Sequence, residues 1–252
     1  GTALNVVNTT IGASGLTFRS ITAGTAASGP ANGIVLNNTG ASGGLTVTGN
    51  SAGVCGGNVG GGPLPGTPLT TTAANSADCT GGTIQKATNA AISLTSTANV
   101  SLTRVHLTNN THYGILGSGV SGFTLTDSLI DGTNGSVTGS AFDGSINFQN
   151  LTGSASITRA VITGGFYNNI TVKNDSATPL NRITLDKTQT GSTNVNNNDN
   201  INFESLSGSS AVIKATIQNS VLTAAAGDLL QYANNGNASG DDIVLTNSQL
   251  SN

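Results

Sequence analysis

The stretch Gly114-Ile-Leu-Gly-Ser-Gly-Val-Ser-Gly-Phe-Thr-Leu-Thr-Asp-Ser-Leu-Ile-Asp131 decides how this chain is read. It holds two short apolar-alternating runs, Gly114 to Leu116 and Phe123-Thr-Leu-Thr126. A Gly/Ser turn separates them, and Asp127-Ser-Leu-Ile130 follows. Apolar residues alternating with small polar ones are the pattern of a strand with one buried face. Runs this short cannot bury that face by themselves and must stack on further copies.

Altered copies recur along nearly the whole sequence. The first mark, apolar-x-apolar, appears at Leu4-Asn-Val6, Ile34-Val-Leu36, Ile92-Ser-Leu94, Gly114-Ile-Leu116 and Ile146-Asn-Phe148, then at Ile170-Thr-Val172, Ile201-Asn-Phe203 and Leu230-Gln-Tyr232. The second lies at Leu16-Thr-Phe18, Leu45-Thr-Val47, Val100-Ser-Leu102 and Phe123-Thr-Leu125, then at Ala155-Ser-Ile157, Ile183-Thr-Leu185, Ala215-Thr-Ile217 and Ile243-Val-Leu245. From Leu102 onward the second mark steps by 23, 32, 28, 32 and 28 residues. A persistent motif with a wandering step means strands held in register and turns of variable length. The expected architecture is an all-β solenoid of about eight coils, forming a single domain over residues 1–252.

The largest departure is the Gly/Pro-rich excursion at about residues 51–89, where Gly56-Gly57, Gly60-Gly61-Gly62, Pro63, Pro65 and Pro68 oppose continuous helix or strand. It contains both cysteines of the chain, Cys55 and Cys79, which are read as a disulfide stapling the excursion before it rejoins near Gly82-Thr-Ile-Gln85. Neither has the neighbouring His or Cys that a metal site needs. Smaller loops are expected at Asp131–Gly139, Asn194–Asn200 and Asn234–Asp241.

Composition fits a narrow core: 8% of residues are charged and 4% aromatic, with no Trp or Met. A net charge of −3 argues against nucleic acid or an anionic membrane surface as partner. No apolar run approaches the roughly 18 residues that span a bilayer. The sequence has neither a signal peptide nor an initiator Met, so it is read as a processed form or a piece of a longer protein.

Phe123-Thr-Leu-Thr-Asp-Ser-Leu-Ile130 and Ile243-Val-Leu-Thr-Asn-Ser-Gln-Leu250 resemble coils of secreted right-handed parallel β-helix proteins. That class includes pectate-lyase-like folds and adhesin passengers of bacterial surfaces. Gly114 to Ser128 is similar to long bacterial surface β-solenoids. The resemblance covers residues 82–252 well and 1–50 loosely, and it implies a right-handed parallel β-helix in an extracellular or cell-surface setting. It does not imply one activity, because this fold hosts lyases, hydrolases, adhesins and fibres.

In a parallel stack, equivalent positions form columns. Two are expected inside: Leu36, Leu94, Leu116, Phe148, Val172, Phe203 and Tyr232, and Phe18, Val47, Leu102, Leu125, Ile157, Leu185, Ile217 and Leu245. A turn column follows the second mark, with Arg104, Asp127, Arg159 and Lys187 ahead of Asn219 and Asn247. It is either a site for an anionic sugar or a solvated ladder of weak exposed pairs. Outward hydroxyls at Thr46, Ser101, Thr124 and Ser156, with Thr48, Thr103, Thr126 and Thr158 two residues on, form Thr-x-Thr rows. Such rows serve ice binding in some solenoids, yet Thr is also what an exposed strand face prefers.

Catalytic chemistry finds little support. The 11 acidic residues are scattered, no nucleophile setting is recognisable, and His106 and His112 read as surface residues. Asp131-Gly-Thr-Asn-Gly135 and Asn196-Asn-Asn-Asp-Asn200 offer oxygens but no full calcium set. Without capping helices, the terminal coils present strand edges to a flanking solenoid or a second copy. The expected function is a non-catalytic structural or adhesive extracellular solenoid without cofactor or metal. A polysaccharide-binding or polysaccharide-degrading protein is the alternative, and an ice-binding protein the third.

Overall fold

The computed structural model describes all residues except 51, 63–66, 137–142, 176–179, 192–197 and 238. Pro63, Pro65, the end of the Asp131–Gly139 loop and most of the Asn194–Asn200 loop therefore lie outside the described residues. The chain is all-β. A large curled 19-stranded sheet, parallel in every pairing among the described residues, dominates it, and the architecture is compatible with a parallel β-helix.

The pairings fall into three ladders, and strand Tyr113–Asp131 runs through all three. Its first segment pairs with Ala90–Thr103 and Gly144–Gln149 in ladder A. Its middle segment pairs with Ala90–Thr103 and Thr152–Thr163 in ladder B. Its last segment pairs with Val105–Thr108 and again with Thr152–Thr163 in ladder C. Positive φ at Gly119 (63°), Gly122 (76°) and Asp127 (46°) turns the chain between ladders.

Ladder B follows the expected register throughout. Phe18, Val47, Leu102, Leu125, Ile157, Leu185, Ile217 and Leu245 pair in succession. Its central members are fully buried, each worth about 1.5–3 kcal/mol relative to exposure. Ladder A corrects the sequence reading at one place. Ile115, not Leu116, continues the column of Ile34, Ile92, Ile146, Ile170 and Ile201, and Gly117 occupies the position of Leu94 and Phe148. Leu116 consequently faces outward between Ser93 and Asn147. A slip of one residue exchanges the two faces of a strand. The physical reason is volume: a Cβ on Gly117 would stand 2.2 Å from Phe148 Cδ1, so glycine makes room for the ring. That ring meets Phe123 edge-on, with centroids 4.9 Å apart.

Ladder C is a third run in each repeat that the two marks do not announce. Ile84, Leu107, Ile130, Ile162, Thr190 and Leu222 form its inward row. Between ladders B and C the chain bends at one left-handed residue per repeat: Arg104, Asp127, Arg159, Lys187, Asn219 and Asn247 have φ of 45–57°. The following hydroxyl supports the bend. Ser128, Ser220 and Ser248 accept from the backbone N–H of Val105, Thr188 and Ser220 at 3.1–3.2 Å, one repeat earlier.

The excursion contains more order than its glycines suggest. Asn58–Gly61 and Leu69–Thr72 form an antiparallel hairpin, and a short 3-10 turn spans Ser76–Asp78. Cys55 and Cys79 are joined by a disulfide and pack on Leu129, with Ala74 and Val161 alongside. The excursion is thus a strap across the outer face of ladder C, and Gly82–Gln85 returns the chain to that ladder beside Val105–Thr108. Gln189 Nε2 donates to the strap carbonyls of Asn58 (3.3 Å) and Thr72 (3.0 Å). Further along, Gly62 lies against the Asn247 side chain.

Candidate functional site

Four places gather polar side chains. The first is the bend between ladders B and C. Arg104 and Asp127 form an ion pair of 2.8 Å, with side-chain exposures of 9% and 6%. Arg104 donates to the carbonyls of Ala52 and Gly53, and Asp127 accepts from the Gly56 N–H at 3.0 Å. The solvated-ladder expectation therefore fails for this pair, because the strap closes over it. Arg159, exposed, joins both residues in walling a hollow of about 400 Å³, and Lys187 sits half-buried one repeat further on. With its guanidinium already held by the strap, Arg104 is a fastening rather than a free cation for an anionic sugar.

The second is the outer face of ladder B. Thr17, Thr46, Ser101, Thr124, Ser156, Thr184, Thr216 and Val244 lie in direct register. Thr103, Thr126 and Thr158 are in register two residues on, where Asp186 and Gln218 then interrupt, and Thr48 extends the row beyond strand Leu45–Val47.

The third consists of histidine–carboxylate contacts that the sequence does not announce. His106 Nε2 lies 2.8 Å from Asp131, and His112 Nδ1 lies 2.7 Å from Asp143, whose side chain is fully buried. Both His side chains are partly exposed, at 13% and 28%, so they lie at the surface but each on a carboxylate partner. For Asp131, burial opposes ionisation, but hydrogen bonds from His106 and Thr108 and the His106 charge outweigh it, so its pKa falls below the ordinary value. Asp199 shifts the other way, raised by burial with Asp228 nearby. Burial and Asp241, which accepts the Tyr232 hydroxyl, raise the Tyr232 pKa. In the loop considered for calcium, Asn134 accepts from Asn110 and donates to the Asp131 carbonyl, so these groups serve the turn. Among the described residues no group of three or more His, Cys, Asp or Glu is placed to hold a metal ion.

The fourth is a groove of about 510 Å³ on the outside of ladder A. Thr95, Ser118, Gln149, Lys173 and Glu204 line it from five successive repeats, with Leu116, Asn147, Tyr113 and Leu206 as walls. Lys173 Nζ and Glu204 Oε2 are 2.5 Å apart. The sequence reading missed this groove because it placed Leu116 in the core; a correct parity at Ile115 would have revealed the row.

Comparison with family models, curated proteins and solved structures returns no match to this chain.

Proposed function

We propose that the three ladders are the faces of a right-handed parallel β-helix of about eight coils, and that this body is a non-catalytic structural or adhesive scaffold. The observation that carries the reading is the unbroken parallel register of ladder B from Phe18 to Leu245, in which each repeat is buried by its neighbours. Its charged side chains also support it. Among the described residues they meet as separate pairs, such as Arg104–Asp127, Lys173–Glu204 and Arg182–Asp242. The disulfide suits an oxidising compartment, here the cell surface or extracellular matrix.

In the outermost repeats, the columns that are fully buried at Leu125 and at Phe148 leave Phe18 37% and Leu245 42% exposed in the first case and Tyr232 36% exposed in the second. Strand edges there accept a further repeat, supplied by a second copy stacked end to end or by a flanking solenoid of a longer chain. Electron micrographs of the purified protein across a concentration series test self-assembly. Filaments that lengthen with concentration are expected; short particles at every concentration would rule it out.

The groove on ladder A favours a second reading, polysaccharide binding. An enzymatic reading belongs to a different place, the bend between ladders B and C that carries Arg159 and Lys187; turnover of an acidic polysaccharide that disappears in Arg159→Ala or Lys187→Ala would establish it. The hydroxyl face is read as a solvated strand surface, because Asp186, Gln218 and Val244 break its rows. No thermal hysteresis is expected from the purified protein; hysteresis lost in Thr124→Leu would establish ice binding instead.

A further inference from the structure

The groove on ladder A is built from one registered row. Thr95 pairs with Ser118, Ser118 with Gln149, Gln149 with Lys173, and Lys173 with Glu204. Parallel neighbours lie about 4.8 Å apart, so the four steps cover roughly 19 Å along the stack. A ligand that uses the whole row must be extended and must run across the strands, presenting a polar contact at each step.

The chemistry of the walls narrows the class. Thr95 and Ser118 offer hydroxyls, and Asn147 and Gln149 carry amides, that of Gln149 donating to Asp175 at 3.4 Å across an exposed contact that a ligand hydroxyl can replace. The two charges in the groove face each other, Lys173 with Glu204, so the row carries no net charge to attract a polyanion. Leu116 and Leu206 add apolar surface to the same walls. A peptide adding to a sheet takes its affinity from unpaired backbone groups at an edge. No such edge is available here, since the strands under the groove are paired on both sides. A neutral sugar chain matches what remains: its hydroxyls meet amides and hydroxyls, and the apolar faces of its rings meet leucine.

We propose that this groove is a binding site for an extended neutral glycan lying along the stack. The proposal rests on the adhesive form of the scaffold reading and names the surface and the ligand class through which adhesion acts.

The test is calorimetric titration of the intact protein with neutral hexasaccharides (β-1,4-glucan, β-1,3-glucan, β-1,4-mannan and chitin types), alongside an oligogalacturonate of equal length and an unrelated peptide. At least one neutral hexasaccharide is expected to bind. Affinity is expected to fall at least tenfold in Gln149→Ala and to vanish in Ser118→Trp, which places a bulky ring at an exposed position within the row. Thr124→Leu, on the other face, should leave it unchanged. Circular dichroism and unfolding midpoints of the variants separate lost binding from lost folding. Binding by none of the neutral sugars, tighter binding of the oligogalacturonate or the peptide, or binding insensitive to Ser118→Trp in folded protein would each overturn the proposal. Filament formation is scored on the same variants. Filaments without glycan binding would end this inference and leave the scaffold reading standing, whereas glycan binding by a protein that never assembles would do the reverse for self-assembly.

Discussion

Gly117 shows how much one missing side chain can determine. The Phe148 ring occupies the space its Cβ would need, 2.2 Å away, while Leu116 is turned to the outside. Gly117→Ala is therefore expected to destabilise the protein by about 1–3 kcal/mol through overpacking. Chemical denaturation measures the loss, and a Phe148→Leu partner substitution should restore part of it; an unchanged midpoint in the single variant would contradict the packing described. At the same scale, Asp131 makes stability depend on pH. Its pKa is lowered in the folded state, so the folded form binds fewer protons than the unfolded one near the ordinary carboxylate value. The contribution is present above that value and is lost as pH falls through the folded pKa. Asp199, with a raised pKa, acts in the opposite sense: its contribution is present in acid and is lost as pH rises through its folded value. Melting temperatures from pH 2 to 6 should fall less steeply towards acid in Asp131→Asn than in the parent protein.

The elements differ in how far the sequence discloses them. Ladder B is legible because Thr or Ser stands between its paired apolar residues and fixes the parity, as in Leu45-Thr-Val47 and Phe123-Thr-Leu125. In ladder A, Ile115 and Leu116 are adjacent and both apolar, so periodicity alone does not choose the inward one; the ring of Phe148, in the next repeat, does. Ladder C stays hidden because its apolar residues are adjacent, as in Leu129-Ile130, Val161-Ile162 and Val221-Leu222, and because polar Thr190 takes one inward position. The histidine–carboxylate contacts stay hidden for another reason. His106 with Asp131 and His112 with Asp143 are neighbours across one repeat, at separations of 25 and 31 residues, and unequal loops conceal that equivalence. The pairing of Cys55 with Cys79 was readable, but the strap's seat on Leu129 and its closure over Arg104 and Asp127 were not. Replacing both cysteines with serine should lower stability by about 3 kcal/mol in the chain-entropy description. It should also speed hydrogen exchange in Asn58–Gly61 and Leu69–Thr72 well before it does so in ladder B. Equal acceleration in both places would mean that the strap is part of the core.

For the whole molecule, order comes from contacts between repeats. Hydrophobic columns run along the ladders, while the left-handed bend recurs from Arg104 to Asn247 and is followed by serine at Ser128, Ser220 and Ser248. The proposed β-helix would be close to one-dimensional: each repeat would be held by the ones above and below it, and the surface rows would repeat at the same spacing. Structure and adhesion are then compatible roles for a single object. A face that presents one polar side chain every 4.8 Å or so matches a partner that is itself a polymer.

The strap adds a second path for mechanical load. Force pulling the repeats apart along the stack would act on the ladders and also on a hairpin fastened at Arg104, at Gln189 and beside Asn247. Its disulfide keeps the 24-residue interval from Cys55 to Cys79 out of any extension until the bond is reduced. At about 3.4 Å per residue, that hidden length is roughly 80 Å. Single-molecule stretching should accordingly yield a total contour longer by about this amount in a reducing buffer than in an oxidising one, so the redox state of the surroundings sets how far the molecule can be drawn out.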